Sequence, residues 1–188
     1  MTEHIEKIRV LVESFDEETT NVMDQLTTIK HLKKGELLLQ EDEVCRKSYF
    51  MVNGIARKFF ILDNKEVTTE FFFEEDIAVS FESLVNQKPS KEVIECLTDV
   101  TVEAVDYNAF YQIRGRYPQL MEYVILITEL YVIWLEDRIF DFHARSATDR
   151  YLNLLKKYPE YIHHIKLTHI SSYLGISLET LSRIRAKI

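Results

Sequence analysis

Apolar residues recur at three- and four-residue intervals from the start of the chain: Ile5, Ile8, Leu11, Val12 and Phe15, then Val22, Met23 and Leu26 beyond Asp16. That spacing predicts helix over residues 3–32, broken where Asp16 can cap a second segment. From Ile29 to Val105 the rhythm changes. Runs rich in β-branched and aromatic residues alternate with turn residues: Leu37–Gln40, Tyr49–Val52, Ile55–Leu62, Val67–Phe73, Val93–Leu97 and Val100–Val105. Short strands at roughly 8–12-residue spacing argue for a small sandwich or barrel-like roll. Asn53-Gly54, between two such runs, predicts a tight hairpin, and Asp63-Asn64-Lys65 links the next two.

Tyr107–Ile113 reads as a short helix, and Pro118 then opens the longest helical pattern, 118–143. It carries two apolar stripes. One is Leu120, Val124, Ile127, Tyr131 and Trp134; the other is Met121, Ile125, Val132, Leu135, Ile139 and Phe142. A helix lying on one core needs a single stripe, so a second copy of the chain is expected to cover the rest. The first stripe is taken as the two-fold contact. A further helix, 149–157, places Tyr151, Leu152, Leu154 and Leu155 inward and ends before Pro159.

Residues 167–186 meet the demands of a helix-turn-helix in register. Ser171 is small enough for the helix crossing, and Gly175 tolerates positive φ in the turn. Ser177 can cap the second helix, and Ile170, Leu174, Ile176, Leu181 and Ile184 supply the apolar contacts. Ser177, Leu178, Glu179, Thr180, Ser182 and Arg183 then fall at the front or on the open side of the second helix. Arginine reads guanine with two hydrogen bonds, glutamate accepts from cytosine, and leucine can touch a thymine methyl. Lys166 and Lys187 suit phosphate contacts. Charge agrees: residues 143–188 carry a net +5, the preceding 142 a net −13, within a total of −8. A basic tail on an acidic body is where a polyanion would bind.

Counting excludes other chemistries. No two of the four glycines lie closer than 19 positions, so neither a G-x-G-x-x-G fingerprint nor a P-loop exists. Cys45 and Cys96 are too few for a four-cysteine metal site and are expected to be reduced, partly buried thiols. His163 and His164 are expected in a solvated loop and His169 on a short helix, with no metal. No catalytic constellation is present, so no enzyme is expected. No signal peptide is seen and no uncharged stretch has the length of a membrane span, which places the protein in the cytoplasm, away from membranes.

The hairpin-rich roll, the long helix and Tyr-Leu-Gly-Ile-Ser-Leu-Glu-Thr-Leu-Ser-Arg-Ile-Arg (173–185) resemble the Crp/Fnr family of transcription regulators over nearly the whole chain. The resemblance implies an α+β fold in three parts. An N-terminal antiparallel β-roll of the cyclic-nucleotide-binding kind (1–117) precedes a dimerisation helix (118–143) and a C-terminal helix-turn-helix domain (144–188). It implies a homodimer on double-stranded DNA of two-fold symmetry, with RNA polymerase as a further candidate partner.

Two departures qualify it. In members that bind cyclic AMP, a cassette glutamate holds the ribose and an arginine holds the phosphate. Here an ungapped match puts Val79 and Ser80 at the glycine and glutamate, and Ser90 and Lys91 at the arginine and its neighbour. The candidate pocket is therefore Ser80, Glu82, Ser83, Ser90 and Lys91, with Leu135 and Glu136 of the long helix where an adenine would face. Cyclic AMP is not expected to bind, no cofactor is assigned, and the ligand is open. The sequence also stops at Ile188, just past the second helix, so a complete C-terminal wing is not expected. The alternative is a dimeric β-roll interaction module that has given up DNA.

Overall fold

The computed structural model describes the backbone of residues 2–188 and the side chains of residues 5–188. In chain order the elements are α1 (Thr2–Glu13), α2 (Glu17–Leu26), β1 (Thr27–Leu32), β2 (Leu37–Leu39), β3 (Lys47–Asn53), β4 (Ala56–Leu62), β5 (Lys65–Phe72) and β6 (Ile77–Ala78). There follow α3 (Phe81–Asn86), β7 (Glu92–Cys96), β8 (Val100–Asp106), α4 (Tyr107–Ile113), α5 (Pro118–Ala144), α6 (Ala147–Lys157), α7 (Leu167–Leu174) and α8 (Leu178–Arg185). The strands form two four-stranded sheets, β1-β8-β3-β6 and β2-β7-β4-β5. The expected roll is present.

The N-terminal helices divide at the expected Asp16 cap, whose carboxylate accepts from the Thr19 amide at 2.7 Å. The second helix stops at Leu26, however, and residues 27–32 are strand β1 rather than helix. Thr27, Thr28 and Ile29 are β-branched and favour the pleated backbone.

The hairpin expected at Asn53-Gly54 does not form. β3 and β4 lie in different sheets, so these residues carry the chain from one sheet to the other. The crossover is stitched to β8 and to the turn before it. Asn53 Oδ1 accepts from the Thr101 amide at 3.0 Å, and the Ile55 amide donates to Thr98 Oγ1 at 2.9 Å. The tight hairpin sits instead at Asp63-Asn64, between β4 and β5, where Leu62 pairs with Lys65. Both turn residues have positive φ, 51° and 59°, as a turn matching the twist of a hairpin requires.

The chain forms two compact units, each assembled from two stretches: one runs through Thr28 and resumes at Val105–Arg145, the other joins Ile29–Ala104 to Ser146–Ile188. In the first unit α1 packs on α5. Phe15 meets Tyr123 edge-on at 6.4 Å. Gln119 ties the turn after α1, donating to Ser14 O at 2.8 Å and accepting from the Asp16 amide at 3.2 Å. Of the two α5 stripes, Leu120 is buried and Val124, Ile127, Tyr131 and Trp134 are half-buried. The open stripe is the other one: Met121, Ile125, Val132, Leu135, Ile139 and Phe142 are all exposed. By length and composition α5 is long and apolar enough to cross a membrane. It also carries Glu122, Glu129 and Glu136 at seven-residue intervals.

In the second unit the roll and α6–α8 share one apolar core. Ile55, Phe71, Phe73 and Leu97 come from the roll; Tyr151, Leu154, Ile170, Leu174, Leu181 and Ile184 come from the helices. Phe73 stacks on Tyr158 at 4.0 Å, and Phe71 meets Tyr173 at 4.9 Å. Leu152, expected inward, is 41% exposed, because α6 turns only Tyr151 and Leu154 fully into this core. Cys45 and Cys96 are free thiols, both buried. Burial pushes Cys96 up to about 12 and keeps both as thiols rather than thiolates.

Gly54 has φ +89°, and a Cβ there would lie 2.5 Å from the Asp99 carbonyl oxygen and 2.7 Å from Val100. Gly35 has φ +87° with open space around it. Gly35→Ala is therefore expected to cost about 1 kcal/mol, the left-handed penalty alone. Gly54→Ala must add the clash with fixed backbone and cost clearly more. Urea denaturation of both variants checks this, and equal losses would contradict it.

Candidate nucleic-acid interface and ligand cavity

The helix-turn-helix forms as its residues dictate. Gly175 sits at φ 65° after α7, and Ser177 caps α8 by accepting from the Thr180 amide at 3.1 Å. Ser171 is buried, with its hydroxyl returned to Thr168 O at 3.0 Å. Leu181 and Ile184 are buried, which turns the opposite side of α8 outward. Ser177, Leu178, Glu179, Ser182 and Arg183 are exposed on that side, with Thr180 half-buried beside the cap. Lys166 precedes α7 and Lys187 follows α8, both exposed. All eight predicted residues thus belong to one short helical hairpin. Glu179 is held below the usual carboxylate range by its own backbone amide, then by Ser177, with the Arg183 cation adding to it. Arg150, part of the basic tail, serves the fold. Its guanidinium donates twice to Leu174 O, at 3.0 and 3.2 Å, closing the end of α7.

The roll holds a cavity of about 270 Å³ lined by Phe60, Ser80, Glu82, Ser83, Lys88, Pro89, Ser90, Lys91 and Glu92. Five of the seven predicted pocket residues are in that lining. Leu135 and Glu136 belong to α5 in the first unit, both exposed. The floor is a bonded network. Ser80 donates to Glu92 Oε2 at 2.6 Å, and Ser90 reaches Ser80 Oγ at 3.1 Å and Glu92 O at 2.9 Å. Ser83 donates to Lys88 O at 2.6 Å and accepts from the Cys45 amide. Behind the floor, the buried Lys58 lies 2.8 Å from Glu70 and 3.9 Å from Glu92.

Arg57 carries no local signal in the sequence. This buried residue of β4 meets α7. Its Nε and Nη2 donate to Glu95 Oε2 at 2.8 and 2.7 Å, and Nη2 donates to Glu66 Oε2 at 2.6 Å. Nη1 donates to His169 Nδ1 at 2.8 Å. A guanidinium only donates, so His169 is the neutral tautomer with its proton on Nε2. His169, expected simply to lie on a short helix, is buried within this cluster. Ser172 adds a second tie, accepting from the Thr68 amide at 2.9 Å and donating to Glu66 O at 3.1 Å. A β-bulge between Lys58 and Phe59 shifts the β4–β5 register, so Thr68 and Glu66 share a face with Phe71 and Phe73.

Burial, then the Arg57 charge, pushes His169 below its ordinary 6.5. Its unfolded form therefore binds protons that the folded form resists. The stability it contributes is complete above pH 6.5 and is lost as pH falls. Asp76, pushed up to about 6 by burial, acts oppositely: its share of stability declines as pH rises from 3.8 to 6. A difference between variants isolates the histidine. His169→Gln, whose amide oxygen accepts from Arg57 at any pH, should lose less stability than the parent between pH 7 and 5. Arg57→Met should cost about 3 kcal/mol, the low end for breaking a buried pair, because the half-exposed Glu66 can turn to water. Denaturation at each pH measures both, and parallel pH curves for parent and His169→Gln would refute the assignment.

Residues 29–117 match the cyclic nucleotide-binding domain family. No curated protein matches the chain by sequence. Among solved structures, FixK2 from Bradyrhizobium japonicum is similar at 21% identity and TM-score 0.73, over 86% of this chain and 83% of that one. The c-di-GMP responsive global regulator CLP of Xanthomonas campestris is similar at 12% identity and TM-score 0.71, over 92% and 91%. A Eubacterium rectale protein described as a transcriptional regulator of the crp/fnr family is similar at 18% identity and TM-score 0.66, over 93% and 83%. Residues 29–117 thus resemble a cyclic nucleotide-binding domain, and the chain carries the fold seen in Crp/Fnr transcription regulators.

Proposed function

We propose that this chain is a homodimeric, DNA-binding transcription regulator of the Crp/Fnr type, working in the cytoplasm, with a roll whose pocket has left cyclic-nucleotide chemistry. The observation that carries the reading is α8. It buries Leu181 and Ile184 and turns Leu178, Glu179, Ser182 and Arg183 to solvent, within a tail of net charge +5. A packing hairpin needs the buried pair; it has no use for the outward set. In a helix-turn-helix the front of the second helix enters the major groove, where arginine and glutamate can read base edges.

The exposed stripe of α5 supports the dimer. Met121, Ile125, Thr128, Val132, Leu135, Ile139 and Phe142 alternate at intervals of four and three, the seam of a coiled coil. Ile125, Val132 and Ile139 occupy one seam position and are all β-branched; Leu135 stands at the other. That distribution favours two parallel strands. A lipid environment suits α5 less well, since Glu122, Glu129 and Glu136 would have to enter it. The pocket supports the change of ligand: serines stand where the family's glutamate and arginine would be, and a buried phosphate without a cation costs several kcal/mol.

Sedimentation at micromolar concentration is expected to report twice the chain mass, with Ile125→Glu and Val132→Glu together giving a folded monomer. A parent that stays monomeric at all concentrations would overturn the dimer. On DNA, Arg183→Ala should cost about 1–3 kcal/mol and relax preference at one base step of each half-site. Lys187→Ala should weaken all sequences alike and lower the salt slope by about one. Selection of bound sequences checks the first; an unchanged motif with Arg183→Ala would reject its role in reading.

A further inference from the structure

The cavity in the roll has a definite polarity. Each serine hydroxyl carries one proton, and all three floor protons are committed: Ser80 to Glu92, Ser83 to Lys88 O, and Ser90 to Glu92 O or to Ser80. The floor therefore has lone pairs to offer and no hydroxyl proton to give. Glu92 brings a carboxylate into the lining. The buried Lys58 offsets it only in part, since that one ammonium is shared between Glu70 at 2.8 Å and Glu92 at 3.9 Å and leaves the group with a net negative charge. An anion placed on this floor meets acceptors and a carboxylate; a group rich in protons meets partners.

The mouth is different. Lys88 and Lys91 are exposed there beside the exposed Glu82. The lining as a whole thus holds two carboxylates and two ammonium groups, with Phe60 and Pro89 adding apolar surface. A volume of about 270 Å³ lies at the small end of ligand pockets. We infer that the cavity takes a small zwitterion of amino-acid size, its ammonium on the Ser80–Glu92 floor and its carboxylate at Lys88 and Lys91. This rests on the proposed role of the roll as the ligand-sensing part of a regulator, and reverses the charge that a cyclic nucleotide would need there.

The test is the melting temperature of the full chain with the twenty amino acids and with a matched four-carbon series: 4-aminobutyrate, butylammonium and butyrate, alongside inorganic phosphate and cyclic AMP, each at millimolar concentration. A saturable rise is expected with at least one zwitterion, a smaller one with butylammonium, and none with butyrate, phosphate or cyclic AMP. Glu92→Gln keeps an acceptor for Ser80 and should weaken the zwitterion by about tenfold or more, the loss of one charge-assisted bond. Lys91→Gln, at an exposed position, should bring the zwitterion toward the level of butylammonium and leave butylammonium unmoved. No rise with any zwitterion, a rise with phosphate or cyclic AMP alone, or a zwitterion indifferent to Glu92→Gln would overturn the assignment. A gel shift with the same protein separates the two proposals. DNA retained without a zwitterion response defeats the ligand class alone, whereas a zwitterion response without DNA defeats the regulator alone.

Discussion

A guanidinium cannot give up its proton, so a buried arginine must be met by acceptors from whatever covers it. Arg57 sits in the middle of a sheet and is 2% exposed. Its acceptors come from three elements: Glu66 and Thr68 on β5, Glu95 on β7 and His169 on α7. The last is far away in sequence. Without α7 the β4 face would be a wet sheet surface, and Arg57 an ordinary charged residue alternating outward. With α7 in place the same face becomes core, flanked by Phe71 and Phe73 against Tyr173 and Tyr158. Polar satisfaction and apolar burial thus impose one orientation on α7 relative to the sheet. Among the described residues, no buried side-chain nitrogen or oxygen lacks a partner. A cluster of this kind contributes less to net stability than to uniqueness, since a misplaced α7 would strand a buried charge.

The same dependence on distant partners decides which features are legible in the sequence. Local chemistry is readable: Asp16 and Ser177 cap helices because their side chains reach amides three residues on, and Gly175 takes a positive φ that few other residues accept. The outward set on α8 is readable for the same reason, since it depends only on helical period and on Leu181 and Ile184 facing in. Pairing is less so. Asn53-Gly54 has the composition of a hairpin, yet the chain there changes sheets, because β3 pairs with β8 and β6 while β4 pairs with β7 and β5. Asp63-Asn64, a weaker signal, makes the actual two-residue turn. His169 and Arg57 are invisible as a pair: nothing local connects residues 112 apart. The two α5 stripes are visible, but not which one α1 leaves open.

The cavity and the helix-turn-helix meet on a single strand. Successive residues of a strand point to opposite faces, and β4 places Arg57 toward α7 and Lys58 toward the cavity floor, where its ammonium donates to Val79 O and neighbours Glu70 and Glu92. The β-bulge follows immediately, between Lys58 and Phe59. Glu92 is held by the Ser80 hydroxyl at 2.6 Å and lies 3.9 Å from Lys58, and the strand that supplies Lys58 also carries the Arg57 guanidinium. The α8 side that faces solvent takes no part in these contacts, so α7 is fixed against the sheet while Leu178, Glu179, Ser182 and Arg183 stay open.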